Sequence, residues 1–427
     1  MADRLGILMG GGPAPGVNSV IAAATIRARL EGIEVQGIRN GFAGLMASTP
    51  DLEQLDIDRV SRIHFRGGCL LGTSRANPTH LPGDLDRTVE SLQAAGINML
   101  LTIGGDDTAS SAFRVADADQ GSLRVAHVPK TIDNDIDLPA DVDTFGYETA
   151  RSVGAQIVQN LMVDAKTTSR WYLVIAMGRK AGHLALGIGK SAGATLTIVP
   201  EEFGDHPVTL DGVADTIVGA IIKRRAEGRH DGVVIIAEGV CLAIDPESMG
   251  GLGSVELDEH GHVRMAELNL GRALRSEVRR RLDDIACPAT VVSKDLGYEL
   301  RCADPVPADM EYTRDLGYCG AKYLLEGGSG ALITLQQGHF VPVSLASLLD
   351  EQTGRVRVRQ VDICSARYAI ARRYMIRIRR DDFDRPDAIA AMVACTNLTE
   401  EAFRERFGAI AELEPPPMQF TDLMAEH

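Results

Sequence analysis

Aromatic residues are scarce in this 427-residue chain, at 4%, and Trp171 is the lone tryptophan. That leaves little with which to build the stacking platforms that hold single-stranded nucleic acid. Positive charge is also in deficit: 44 Lys and Arg face 59 Asp and Glu, for a formal net charge of −15. A general affinity for nucleic acid or an anionic membrane surface is therefore excluded, whereas a few local cations still suffice for a small phosphorylated ligand. The seven cysteines (Cys69, Cys241, Cys287, Cys302, Cys319, Cys364, Cys395) are scattered, odd in number and never spaced as CxxC. This argues against a disulfide framework or a zinc site and for reduced thiols. No stretch approaches the ~20 apolar residues of a membrane span. The opening Met1-Ala2-Asp3-Arg4 and short apolar run lack the core of a secretory signal. A cytoplasmic protein with neither nucleic acid nor membrane as partner is expected.

What is present is ordinary globular composition, 45% hydrophobic and 24% charged. At roughly 150 residues per domain the length makes two or three structural units. Short apolar runs recur, each ending in glycine or polar punctuation. Leu5 to Met9 enters Gly10-Gly11-Gly12, Met99 to Ile103 enters Gly104-Gly105-Asp106-Asp107, and Arg124 to Val128 enters Pro129-Lys130. Trp171 to Ala176 enters Met177-Gly178-Arg179, and Val233 to Ala237 enters Glu238-Gly239. Unalternating runs of about 4–8 apolar residues read as strands buried on both faces. Helical patterns between them, such as Val17 to Leu30, give an α/β fold with parallel layers. Ligands of such sheets gather beyond the carboxyl ends of the strands, where the punctuation falls.

Residues 1–150 together with 302–380 are expected to form one α/β domain and 151–301 a second. Residues 381–427, charged and carrying Pro415-Pro416-Pro417, read as a C-terminal extension. Ala243 to His262, with Gly250-Gly251-Leu252-Gly253, reads as a surface excursion. Arg272 to Arg281 reads as a basic helix with a solvated face.

Three segments carry chemistry. Gly10-Gly11-Gly12-Pro13-Ala14-Pro15-Gly16-Val17-Asn18, between strand and helix, lets backbone N–H groups approach an anion, although a plain tight turn also explains it. It is neither GxGxxG nor a Walker A loop, which makes a nicotinamide-binding dehydrogenase improbable. Asp106 and Asp107 at a strand end repel each other unless a cation is near. A hard cation such as magnesium shares itself between one or two carboxylates and a substrate phosphate. Helix capping is the plainer role for either aspartate. Pro129-Lys130-Thr131-Ile132-Asp133-Asn134-Asp135 joins a lysine, which neutralises phosphate as a point charge, to a carboxylate able to take a proton from a hydroxyl. An Asx turn accounts for Asp133-Asn134 only in part.

In order along residues 5 to 340, these segments resemble the phosphofructokinase family. The resemblance implies two three-layer α/β domains with mainly parallel sheets and the active site between them. It also implies magnesium-dependent transfer of a phosphoryl group to O1 of fructose 6-phosphate. Gly11 then contacts the phosphoryl group, Arg75 in Leu70-Leu71-Gly72-Thr73-Ser74-Arg75 the donor phosphates, and Asp106 the Mg2+. Thr131, Ile132 and Asp133 match the TID residues, with Asp133 the proton acceptor. Met177, Gly178, Arg179 and Glu238 match sugar-phosphate contacts, Tyr298 stands where many members have histidine, and Arg301 matches a 6-phosphate arginine. Arg170 matches an arginine lent to a neighbouring subunit, implying at least a dimer, as in a homodimer or homotetramer.

Asp107 and Lys130 stand where ATP-using members have glycines, and the pair resembles the pyrophosphate-dependent branch. A carboxylate at 107 occupies the place of an α-phosphate. A like-charge contact at about 4 Å costs ~4 kcal/mol at an effective dielectric near 20. Lys130 supplies a cation beside the moving phosphoryl group. Inorganic diphosphate is the expected donor, in a reaction that runs both ways. An ATP-dependent enzyme of the same family and a non-catalytic sugar-phosphate sensor are the alternatives. One departure concerns the acceptor: the arginine that many members carry six residues before Tyr298 is Val292 here, with Lys294 the nearest cation. A seven-carbon sugar phosphate therefore stays open as a second acceptor.

Overall fold

The computed structural model describes residues 3–139, 142–204, 208–244, 270–344, 347 and 357–415. The strands run in chain order as β1 (Arg4–Met9), β2 (Glu34–Ile38), β3 (Leu52–Leu55), β4 (Met99–Gly104), β5 (Arg124–Pro129), β6 (Arg170–Ala176), β7 (Leu196–Ile198), β8 (Gly232–Ala237), β9 (Thr290–Leu296), β10 (Ala331–Gln336) and β11 (His339–Ser344). The chain divides into two compact units. Among the described residues, one holds those up to Ala150 with Tyr298–Arg359, and the other holds those of 151–244 and 270–297 and resumes at Gln360.

The first unit is built on a seven-stranded sheet in the order β11-β10-β5-β4-β1-β2-β3. Its five inner strands are parallel, and antiparallel β11 and β3 close the two edges. β4 is buried along its whole length because both of its faces are covered. Leu100 joins Leu8 and Ile38 in a cluster with Phe42, Leu45, Val89, Leu92, Ala112 and Val115. Leu101 points to the other face, where its side chain lies 2.8 Å from where a Cβ on Gly320 would stand. The helices Val17–Leu30 and Pro307–Leu325 pack there so closely that a Cβ on Gly317 would meet the Val20 carbonyl at 2.5 Å.

The second unit carries the four-stranded parallel sheet β7-β8-β6-β9. Two of the expected domain boundaries differ in the structure. Tyr298–Arg301 belongs to the first unit, and residues 360–380, expected there, belong to the second. The C-terminal segment is also part of the second unit as far as it is described. The Ile376 N–H donates to the Thr195 carbonyl at 2.8 Å, Lys223 pairs with Asp382 at 2.6 Å, and Ile378 packs on Gly219. A buried ion cluster explains why so charged a stretch looked like surface. Arg372 binds Glu414 at 2.7 Å and Glu202 at 3.1 Å, and Arg377 binds the same two carboxylates at 3.2 and 2.9 Å. Arg281 likewise departs from the solvated face foreseen for its helix, being buried between Asp211, Asp215 and Glu277, each at 2.6 Å. Most of the excursion foreseen at Ala243–His262, with Pro416 and Pro417, lies outside the described residues.

Removing one partner of a buried ion group leaves the others uncompensated. Glu202→Gln is therefore expected to destabilise the second unit by about 3–5 kcal/mol. Trp171, fully buried in β6 of that unit, reports the loss as an earlier fluorescence transition in urea.

Candidate active site

In the first unit β1, β4 and β5 are neighbours, so the turns that leave their carboxyl ends lie side by side, at strand spacings of about 4.8 Å. Backbone bonds lock them. The Gly10 N–H donates to the Ile103 carbonyl at 2.9 Å, and the Lys130 N–H to the Gly104 carbonyl at 2.7 Å. A Cβ on either Gly10 or Gly104 would stand 2.5 Å from the Thr108 hydroxyl, so only glycine lets these turns close over the helix Asp106–Ala118. Asp106 and Asp107 form the first turn of that helix, where backbone N–H groups and the dipole favour negative charge.

Gly11 has φ +77°, a backbone state that suits glycine. Its N–H donates to the Ser74 carbonyl at 2.9 Å and its carbonyl accepts from the Thr73 hydroxyl at 2.7 Å. The segment before Arg75 is thereby tied to the glycine loop. The Lys130 ammonium approaches within 3.9 Å of where a Cβ on Gly11 would be, and the Arg301 guanidinium carbon within 3.2 Å of that place on Gly12. Arg301 also lies over the exposed Tyr298 ring, 5.0 Å from its centroid. Gly11, Arg75, Lys130 and Arg301 therefore share one end of the sheet, two of their cations directly over the glycine loop.

His127, in β5, sits fully buried beneath this end. Burial pushes its pKa down to about 4, with the Lys130 charge acting in the same direction. The ring is neutral, and its tautomer follows from its partners. Nε2 lies 3.0 Å from the Gly104 carbonyl, which can only accept, so Nε2 carries the hydrogen; Nδ1 accepts from the Thr102 hydroxyl at 2.8 Å. The Gly104 carbonyl thus holds both the His127 ring and the Lys130 backbone. Sequence reading passed over His127, although a lone histidine inside the apolar run Arg124–Pro129 is the signal that would have found it.

Beyond Lys130 the chain turns at Thr131–Asp135. The Asp133 N–H donates to the Thr131 hydroxyl at 3.0 Å, and the Thr131 carbonyl accepts from Thr144 Oγ1 at 2.7 Å. Asp133 is buried, and its Oδ1 meets no hydrogen-bond donor among the described residues. A buried carboxylate oxygen without a donor is costly unless a ligand hydroxyl supplies one. Ile132 is buried against Gly146, so only its backbone is left to meet a ligand.

In the second unit Met177-Gly178-Arg179 and Glu238-Gly239 leave the adjacent carboxyl ends of β6 and β8. Arg179 adopts φ +50°, unusual for a residue with a side chain. Glu238 Oε1 holds this turn by accepting the N–H groups of Gly178 at 3.1 Å and Arg179 at 2.8 Å. That oxygen is thus engaged in shaping the turn. Met177 is buried against Gly297. Arg170 is not part of this group. It opens β6 at the opposite end, about 20 Å away at 3.3 Å per residue, with its Nε 3.9 Å from Asp164.

Among the described residues no group of three or more His, Cys, Asp and Glu is arranged to hold a metal ion. The Asp106 and Asp107 carboxylates are oxygen donors of the kind a hard cation takes when one carboxylate shares it with bound phosphates.

The profile of the phosphofructokinase family matches residues 4–324. A pyrophosphate–fructose 6-phosphate 1-phosphotransferase of Thermotoga maritima is 46% identical over 97% of this chain and 100% of its own length. A protein of the same name from Naegleria fowleri is 47% identical over 94% of each chain. ATP-dependent 6-phosphofructokinase 3 of Streptomyces coelicolor is 33% identical over 81% of this chain and 95% of its own. Among solved structures, a pyrophosphate-dependent phosphofructokinase from Nitrosospira multiformis covers 98% of this chain with 95% of its own, at a TM-score of 0.66 and 18% identity. That structural likeness speaks for the fold. Taken with the strand-end glycine, aspartate and lysine turns described above, these matches mean that the chain belongs to the phosphofructokinase family.

Proposed function

We propose that this protein is a diphosphate-dependent 6-phosphofructokinase. It transfers a phosphoryl group reversibly from inorganic diphosphate to O1 of fructose 6-phosphate, giving fructose 1,6-bisphosphate and phosphate in glycolysis or gluconeogenesis. The observation that carries the reading is Asp133. Its buried Oδ1, without a donor among the described residues, follows a buried lysine at a strand end, beside a glycine loop and the acidic start of a helix.

In the forward direction Asp133 accepts the proton of the 1-hydroxyl as O1 bonds to phosphorus. The bond from that phosphorus to the bridging oxygen breaks, and inorganic phosphate leaves. Lys130 and the Gly11 backbone stabilise negative charge on the phosphoryl group, with Arg75 on the donor phosphates. Asp106 would hold Mg2+, which neutralises phosphate charge when bound. Thr131, Met177, Gly178, Arg179, Tyr298 and Arg301 bind the sugar phosphate. Glu238 acts there chiefly by holding the Gly178–Arg179 turn. Arg170, at the far end of its strand, serves a neighbouring subunit of a homodimer or homotetramer. Among the described residues no helix is long and apolar enough to cross a membrane.

Two relatives named for diphosphate stand at 46% and 47% identity, whereas the Streptomyces coelicolor relative named for ATP stands at 33%. Together with Asp107 and Lys130 this supports diphosphate as donor. An aldolase-coupled assay with fructose 6-phosphate, Mg2+ and either donor tests it. Turnover is expected with diphosphate, a rate about 10²-fold lower or less with ATP, and none after chelation of Mg2+. Equal rates with the two donors would overturn the donor reading.

A further inference from the structure

The loop that carries Asp133 is held by a segment remote from it in sequence. Val358 forms an isolated bridge with Ile136, and the Arg359 N–H donates to the Asp135 carbonyl at 2.9 Å. The Arg359 guanidinium then grips both ends of the loop. Nε donates to the Asn134 carbonyl at 3.2 Å, Nη1 to the Val142 carbonyl at 2.8 Å, and Nη2 to Asn134 Oδ1. The Asp143 carboxylate lies 3.7 Å away. Asn134, the residue after Asp133, has φ +57°, a conformation that side-chain-bearing residues seldom adopt unless their surroundings hold them there. Its Nδ2 donates to Asp143 at 2.6 Å and its Oδ1 accepts the Thr144 N–H at 3.0 Å, so Arg359 closes a network already turned toward this residue. Arg359 lies beyond residue 324, where the family match ends.

We propose that Arg359 is a positioning residue for phosphoryl transfer: its planar fork fixes the left-handed turn at Asn134 and so aims the Asp133 carboxylate at the sugar hydroxyl. The proposal rests on Asp133 being the proton acceptor. A lysine cannot replace the fork, because a point charge on a flexible stem does not hold three acceptors in one plane. Reach and aim matter here, since a misplacement of about 1 Å costs about 10²-fold in rate.

The test is a double-mutant cycle on the full-length protein, with Arg359→Ala and Asp133→Ser alone and combined; Arg359→Lys takes the place of the alanine variant if the latter does not fold. Arg359→Ala is expected to lower kcat by about 10–10²-fold and to shift each KM by less than about threefold. Its effect is expected to vanish when residue 133 is already serine. Millimolar guanidinium ion is expected to restore part of the kcat of Arg359→Ala and none of that of Asp133→Ser. An unchanged kcat, or an equal loss in both backgrounds, overturns the positioning role. Near-normal turnover of Asp133→Ser overturns the base assignment beneath it, so the two failures are told apart.

Discussion

Asp133→Ser is expected to lower kcat by about 10²–10⁴-fold while leaving KM for diphosphate and sugar phosphate within several-fold of the native values. Serine keeps a small polar side chain at a buried position but cannot hold a proton released by a hydroxyl. The loss should therefore fall on the chemical step. The geometry argues for a reactive carboxylate over a purely structural one. Thr131 Oγ1 receives the Asp133 backbone N–H, and Asn134 makes the turn, so the loop closes without help from Asp133 Oδ1. A serine variant that turns over at nearly the native rate removes the assignment. One that loses kcat and thermal stability together points to a structural role.

Asp107→Gly is expected to weaken diphosphate use and to admit ATP, more fully when combined with Lys130→Gly. Asp107 is the second residue of the helix Asp106–Ala118, next to the aspartate proposed to hold Mg2+. On the proposed donor reading its carboxylate repels an α-phosphate by up to ~4 kcal/mol at about 4 Å and an effective dielectric near 20, so removing it is expected to raise ATP turnover by as much as about 10³-fold. In the proposed mechanism Lys130 acts on the leaving group. It is buried with its ammonium near the Gly11 turn, and on this reading it would supply the charge that a bare diphosphate needs when no nucleotide contacts share the binding. The measurement is kcat/KM for each donor in the single and double variants. If Asp107→Gly leaves diphosphate kinetics untouched, the explanation of donor choice fails.

Much of the candidate site was legible because its residues are contiguous. Asp106 with Asp107, and Lys130 through Asp135, sit in runs where strand, turn and helix start follow one another within a few residues. Local patterning reports such arrangements directly. Other features depend on pairs of distant residues. His127 holds the carbonyl of Gly104, Glu238 holds the backbone of Arg179, and Arg359 holds Asn134 from 225 positions away. No property of Arg359 in isolation separates it from any surface arginine. The charged stretch after residue 360 misled for the same reason, since Arg372 and Arg377 are buried only because Glu202 and Glu414 meet them.

The chain on its own determined the α/β class, the strand ends at which chemistry gathers, and the identity of the acidic and basic groups placed there. Period and punctuation are local properties, and burial of β4 or β8 on both faces writes itself into an unbroken apolar run. Only the tertiary structure decided that, among the described residues, the buried Asp133 Oδ1 stays without a donor, that Glu238 Oε1 is spent on a turn, and that the distant Arg359 holds the loop after Asp133. Hydrogen bonds and buried ion pairs join residues through space, and their energies depend on distance and burial, neither of which exists until the chain is folded.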